Sequence, residues 1–246
     1  MKKILVIRFS SLGDVILTSP TVLNLKIAFP DSNITFLTKE RFSEVVQRFP
    51  GVDRVVTIAN NATGRQLLRV LFELENSRFD TIVDLHGSLR SWFARKTISA
   101  THRVVYEKRR LERFLSIGRK RLASESPHTI DLYNGCVTQL GARAVANRPV
   151  MMLTGEDHRV PKQFDPGEEP YIVIAPGAAH PVKQWPLERF VETAQTLSAD
   201  SNRKIVWALT EADAAVIGGE SAVADQVKLI NCPIPYLGAI IERADV

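Results

Sequence analysis

Short apolar runs alternate with amphipathic helical stretches along almost the whole chain, and this alternation restricts the fold more than any other feature. The run Ile4-Leu5-Val6-Ile7 is apolar at every position. With it at the centre, residues 3–8 read as a strand covered on both faces, as in a parallel sheet. A helical period over 15–29 follows and ends at Pro30-Asp31. Further strands are predicted over 34–37, 52–58, 81–85 and 103–106. Helices are predicted over 41–49, 66–74, 89–98 and 129–140. Alternation of this kind with short connections implies a doubly wound, largely parallel α/β sheet.

The pattern breaks between Thr154 and Pro170, where Gly, Pro, Asp and Glu crowd a stretch with no hydrophobic period. It reads as an interdomain linker over 154–170 after a first domain of 1–153. A second α/β unit occupies 171–246. It has strands over 171–175, 204–209 and 227–230, and helices over 187–197, 211–224 and 235–243. Gly218-Gly219 weakens the second of these helices. With about three strand–helix units, this domain is expected to be incomplete, since doubly wound domains run to about five or six strands.

Of the 246 residues, 45% are apolar and 24% charged, an ordinary globular balance. No apolar stretch approaches the ~20 residues needed to span a bilayer. Met1-Lys2-Lys3 leads into a strand rather than the core of a signal peptide. Cys136 and Cys232 lack metal-ligand spacing and read as free thiols in a reducing compartment. A cytoplasmic location is expected. The formal net charge of +5 is unevenly spread, because Arg90 to Arg121 carries eleven Lys/Arg against two acids, a local +9. Such a segment suits an anionic partner, whether phosphorylated lipid, nucleic acid or an anionic membrane. A solvated helix face is the alternative.

Residues with chemistry gather in the turns after the strands, the edge where open α/β sheets place ligands. The first turn is Arg8-Phe9-Ser10-Ser11-Leu12-Gly13-Asp14-Val15. Gly13 permits close backbone approach, and the amides of the following helix could meet an anion. Asp14 could take a hydroxyl proton as a general base or cap the helix, and on the residues alone capping is the simpler role. Neither a phosphate loop nor a Gly-x-Gly-x-x-Gly fingerprint is present. In the turn from Pro176 to Pro186, Lys183 offers a compact cation for phosphate or is merely solvated. Glu211, just past a strand, could hold ribose hydroxyls or complement a helix dipole. His86, His128 and His180 show no metal spacing, and Asp80 and Asp84 do not form an Asp-x-Asp site.

Three motifs, in this order, resemble the family 9 glycosyltransferases, the ADP-heptose:lipopolysaccharide heptosyltransferases. They are Arg8 to Val15 with Pro20 downstream, Asp84-Leu85-His86-Gly87-Ser88-Leu89-Arg90-Ser91, and Pro176-Gly177-Ala178 through Lys183-Gln184-Trp185-Pro186. The resemblance implies a GT-B architecture of two Rossmann-like domains facing a cleft, the second incomplete in this chain. It implies inverting transfer of heptose from ADP-heptose to an inner-core hydroxyl, with no cofactor and no metal. Asp14 would be the catalytic base, with Ser10, Ser11, Gly13 and Arg90 on the acceptor side. Gly177, Ala178, Ala179 and Lys183 would meet the donor diphosphate, and Glu211 the ribose. The Arg90–Arg121 segment would face the Kdo–lipid A acceptor at the anionic inner membrane, making the protein peripheral to its cytoplasmic face, with no nucleic-acid partner. The family pattern continues beyond Val246 into an Asp-Ser/Thr-Gly turn that grips the diphosphate, so residues 1–246 alone are expected not to catalyse transfer. Two other readings remain: a non-catalytic anionic-glycolipid binding module, and a GT-B transferase using another nucleotide sugar.

Overall fold

The structure is a computed structural model that describes residues 2–108, 127–178, 181–201, 203–217 and 226–245. It divides into two compact units, Met1–Met152 and Leu153–Val246. Ala179, His180, Gly218-Gly219 and most of the basic segment after Lys108 lie outside the described residues.

In the first unit, strands β1 (Lys3–Ile7), β2 (Asn33–Lys39), β3 (Arg54–Ile58), β4 (Phe79–Asp84) and β5 (Ala100–Val105) form a parallel sheet in the order β3-β2-β1-β4-β5. β1 is central, and Ile4 to Ile7 are fully buried, as an unbroken apolar run requires. The chain winds outward from β1 to β3, then returns beside β1 at β4. This reversal is a topological switch point, where open α/β sheets bind ligands. The helices are α1 (Leu12–Ile16), α2 (Ser19–Ala28), α3 (Ser43–Val46), α4 (Gly64–Glu75), α5 (Leu89–Thr97) and α6 (Thr129–Gln139). Leu67, Leu71 and Leu74 of α4 pack with Leu5, Ile7 and Ile82 of the sheet. A buried polar seam joins α2 to α6: Asn134 Oδ1 accepts from Thr21 Oγ1 at 2.8 Å and Asn24 Nδ2 at 3.1 Å.

Two expected helices differ from those observed. The period over 15–29 is divided between α1 and α2. Pro20 has no N–H to offer the Ile16 carbonyl, which instead accepts the Ser19 hydroxyl at 2.8 Å. The helix expected over 41–49 is a 3-10 turn, Glu40–Phe42, followed by the four-residue α3. Phe42, Val45, Val46 and Phe49 are buried as their spacing suggested. However, the amides of Arg48 and Phe49 bond three residues back, to Val45 and Val46, which tightens the chain out of α geometry.

The second unit contains β6 (Tyr171–Ile174), β7 (Lys204–Leu209) and β8 (Val227–Ile230), parallel in the order β6-β7-β8. Its helices are α7 (Leu187–Ser201), α8 (Glu211–Ile217) and α9 (Ile234–Arg243). Trp207 on β7 is fully buried, and its Nε1 donates to Gln226 Oε1 at 2.6 Å. Within 154–170, Val160 and Phe164 pack against the cluster of Tyr171, Val206, Leu229 and Ile240.

Candidate active site

The switch point joins the first two sequence motifs. Leu85 N–H donates to the Ile7 carbonyl at 3.1 Å, drawing the turn after β4 against the turn after β1. Arg8 is only 5% exposed. Its Nε donates to the Ser10 carbonyl at 2.7 Å and its Nη1 to the Leu85 carbonyl at 2.5 Å. Its Nη2 pairs with Asp14 Oδ2 at 2.8 Å. A buried guanidinium needs such a full set of acceptors, and its planar fork can reach three at once.

Asp14 is not the N-cap residue. α1 begins at Leu12 with Ser11 as its cap, which places Asp14 at the third helical position. There Asp14 Oδ2 accepts the Ser11 N–H at 3.1 Å and the Ser11 hydroxyl at 3.0 Å, reciprocating the cap. Among the described residues, these bonds and the Arg8 pair all fall on Oδ2, and Oδ1 takes none. The Asp14 side chain is 40% exposed, so a solute can reach it. Partial burial pushes its carboxyl pKa up, but the Ser11 amide bond, the Arg8 charge and the remaining contacts outweigh burial. The carboxyl is held below its ordinary 3.8 and is ionised at neutral pH. Ser10 contributes its carbonyl to Arg8. Gly13 is helical without a positive φ, and a Cβ there would meet nothing within 4 Å. Its contribution is therefore open space beside Asp14.

The second motif frames this site. Asp84 is fully buried at the end of β4. Its Oδ1 accepts the amides of His86 and Gly87 at 2.8 Å each, and its Oδ2 accepts Arg95 Nε at 2.8 Å. Gly87 has φ +56°, and a Cβ there would stand 3.0 Å from Lys108 Cε, so the turn needs glycine. His86 lies edge-on to Phe9 with ring centroids 5.2 Å apart. Its Nδ1 is buried without a hydrogen-bond partner among the described residues. Burial first, then Arg8 and Lys108, lower its pKa from 6.5 to about 4. The unfolded chain therefore takes up this proton at a higher pH than the folded protein. His86 subtracts nothing from stability above pH 6.5 and destabilises progressively as pH falls toward 4. Melting temperatures at pH 7 and pH ~4.5 check this, since His86→Leu should lose less between them than the natural protein.

Arg90 is exposed in the first turn of α5. Partial burial, then Arg41 and Arg90, lower the pKa of Lys39. Arg41 and Arg90 thus act electrostatically on Lys39, the last residue of β2. Lys39 and Arg41 were missed in the sequence, although Lys-x-Arg directly after a strand was an available signal. A groove of about 750 Å³ runs beside α5, lined by Gly87, Ser88, Arg90, Trp92, Tyr106 and Lys108.

In the second unit, the carboxyl ends of β6 and β7 bring the turn Pro176-Gly177-Ala178 against α8. A Cβ on Gly177 would stand 2.8 Å from Asp213 Oδ2, so only glycine allows this approach. Asp213 Oδ2 accepts the Thr210 amide and hydroxyl at 3.1 and 2.7 Å, which fixes the start of α8. Gln184 Nε2 donates to the Ala178 carbonyl at 2.9 Å, closing the turn. Lys183 is exposed and makes no ion pair among the described residues. Glu211 Oε1 accepts Asn231 Nδ2 at 3.0 Å, linking the ends of β7 and β8. A cavity of about 450 Å³ is bounded by Pro176, Gln184, Trp185, Pro186, Asp213 and Val216. Sequence reading missed Asn231 and Asp213. Burial raises the free thiols Cys136 and Cys232 to about 12 and about 11, so neither is a nucleophile near neutral pH. Among the described residues, no group of three or more His, Cys, Asp or Glu could hold a metal ion.

Against known proteins, the model of glycosyltransferase family 9 (heptosyltransferase) matches residues 67–228, about two thirds of the chain. The chain belongs to glycosyltransferase family 9. The match contains the second and third motifs, while the Arg8–Asp14 turn precedes it. The chain is similar to the lipopolysaccharide core heptosyltransferase OpsX of Haemophilus influenzae, at 20% identity over 78% of this chain and 56% of the relative. It superposes on a family 9 glycosyl transferase from Veillonella parvula with TM-score 0.80 at 23% identity, covering 99% of this chain and 74% of that one. It superposes also on the E. coli heptosyltransferase WaaC solved with ADP-2-deoxy-2-fluoro heptose. There the TM-score is 0.74 at 16% identity, covering 98% of this chain and 80% of that one. These likenesses fix a GT-B type fold of Rossmann-like units. The chain spans little more than half the length of the curated relatives it matches.

Proposed function

We propose that this family member transfers heptose from ADP-heptose to a hydroxyl of the lipopolysaccharide inner core, with inversion and with Asp14 as general base. The observation that carries the reading is the divided Asp14 carboxylate. One oxygen is locked by Arg8 and Ser11, and the other is uncommitted among the described residues on an ionised, accessible group. The acceptor hydroxyl gives its proton to Oδ1 while its oxygen bonds to the anomeric carbon. The bond from that carbon to the diphosphate oxygen breaks, and its electron pair leaves with ADP. A single displacement inverts the centre. The low pKa keeps Asp14 deprotonated at rest, so the proton moves as the attacking oxygen becomes acidic late in bond formation.

In this reading, Ser10, Ser11, Gly13 and Arg90 flank the acceptor, and Lys39 and Arg41 add positive charge for its phosphates. The backbone at Gly177 and Ala178, with Lys183, neutralises the diphosphate. Glu211, steadied by Asn231, binds the ribose. Ala179 takes its assignment from the resemblance alone. No cofactor or metal has a role. The partners are ADP-heptose, a Kdo–lipid A core acceptor and the anionic inner membrane, at whose cytoplasmic face the protein works, with no nucleic acid involved. No helix among the described residues is long and apolar enough to cross a membrane.

Calorimetry with ADP-, UDP- and GDP-sugars tests the donor. The reading expects ADP to be preferred, with Lys183→Ala and Glu211→Gln each weakening ADP binding about tenfold through loss of a charge-assisted contact. A preference for UDP, or unchanged affinity in both variants, would overturn the donor assignment.

A further inference from the structure

We propose that the solvent face of α5 is a docking surface for an anionic phospholipid bilayer. The helix is amphipathic in the reverse of the usual sense. It buries Ser91 and Ala94 and sends Arg95 inward to the fully buried Asp84. It turns its largest apolar side chains to solvent, with Leu89 87%, Trp92 49% and Phe93 39% exposed. These three stand at positions i, i+3 and i+4, so they form one stripe. Lys96, at i+7, continues the stripe, and Arg90 stands beside Phe93; both cations are exposed. A contiguous apolar patch of this kind marks a contact surface.

Charge complementarity selects the occupant. Leu, Trp and Phe flanked by Arg and Lys is the composition of helices that lie in a membrane interface. Their aromatic rings sit at headgroup level and their cationic heads reach the phosphates. A protein partner with an apolar groove would not call for the basic rim, and nucleic acid would not call for Leu89 and Phe93. Lys108 lines the adjoining groove, and the sequence around it carries the chain's concentrated positive charge. The face is presented rigidly. The Ser88 cap holds one end of α5 through the Ser91 amide at 3.2 Å, and the Asp84–Arg95 pair at 2.8 Å holds its last turn. The surface lies on the same unit as Asp14, so docking would bring that unit to the plane of lipid headgroups. The inference concerns binding only and stands whether or not the transfer chemistry is correct.

The test is co-sedimentation of the full chain with vesicles of phosphatidylcholine alone and of phosphatidylcholine with about 30% phosphatidylglycerol, at low and high salt. Binding is expected to the anionic vesicles only, weakening with salt. In a Trp185→Phe background, the emission of Trp92 should shift to the blue on vesicle addition. Leu89→Ser combined with Trp92→Ser should lower partitioning by about tenfold or more at an unchanged melting temperature. Arg90→Glu with Lys96→Glu, a surface exchange that leaves the apolar stripe intact, should abolish it. Equal binding to neutral vesicles would overturn the proposal. So would anionic binding that the Leu89/Trp92 pair does not change, or self-association through this face that vesicles fail to compete away.

Discussion

Asp14→Asn, in the natural full-length polypeptide, should lower kcat by a factor of about 10² to 10⁴, the usual worth of a positioned general base, while ADP-heptose affinity stays within about twofold. Asparagine keeps the shape of the side chain, and its carbonyl oxygen can still accept the Ser11 amide that Asp14 Oδ2 accepts now. What it loses is the capacity of the other oxygen to take a proton. Asp14→Ala should be equally inactive but also less stable. It removes the one carboxylate paired with the buried Arg8 among the described residues and half of the reciprocal cap of α1. Comparing the two substitutions separates chemistry from capping. Near-normal kcat in Asp14→Asn would return Asp14 to a structural role.

Arg8→Met should cost about 2–4 kcal/mol of stability at neutral pH. It deprives the Ser10 and Leu85 carbonyls of their donors and leaves the half-exposed Asp14 carboxylate unpaired. The pH dependence has a definite sign. Arg8 is among the groups that hold Asp14 below 3.8, so its electrostatic contribution is present above that pH and lost as pH falls through the lowered pKa. The stability gap between the natural protein and the variant, measured by denaturant unfolding, should therefore narrow in acid. The acid limb of the kcat profile should move upward in pH, because Asp14 regains a more ordinary affinity for its proton. A gap that widens on acidification would contradict this assignment of the ion pair.

The sheet was legible because its strands are short and rich in apolar residues, and the central β1, with the unbroken run Ile4 to Ile7, is the clearest of them. Both ligand-edge turns were legible for the same reason, since each directly follows such a run. The motif around Asp84 was visible only as a pattern. That its carboxylate ties down the His86–Gly87 amides and Arg95 is a property of the folded turn. Arg8 escaped notice as a site residue because its acceptor at Leu85 lies 77 residues away. Asn231 and Glu211 likewise meet only when β7 and β8 pair. Pro20 was read as a motif residue while the helix was carried through it, although its missing N–H divides α1 from α2. After β2, the apolar spacing correctly marked the buried positions Phe42, Val45, Val46 and Phe49 but not the tightening to i→i+3 bonds.

The most direct test of the account is the anomeric configuration of the product, read by NMR, after the natural full-length polypeptide is given ADP-heptose and a Kdo–lipid A acceptor. The account predicts one added heptose with its configuration inverted, and none when Asp14→Asn replaces the natural protein. A retained configuration, or transfer undiminished in Asp14→Asn, would contradict it.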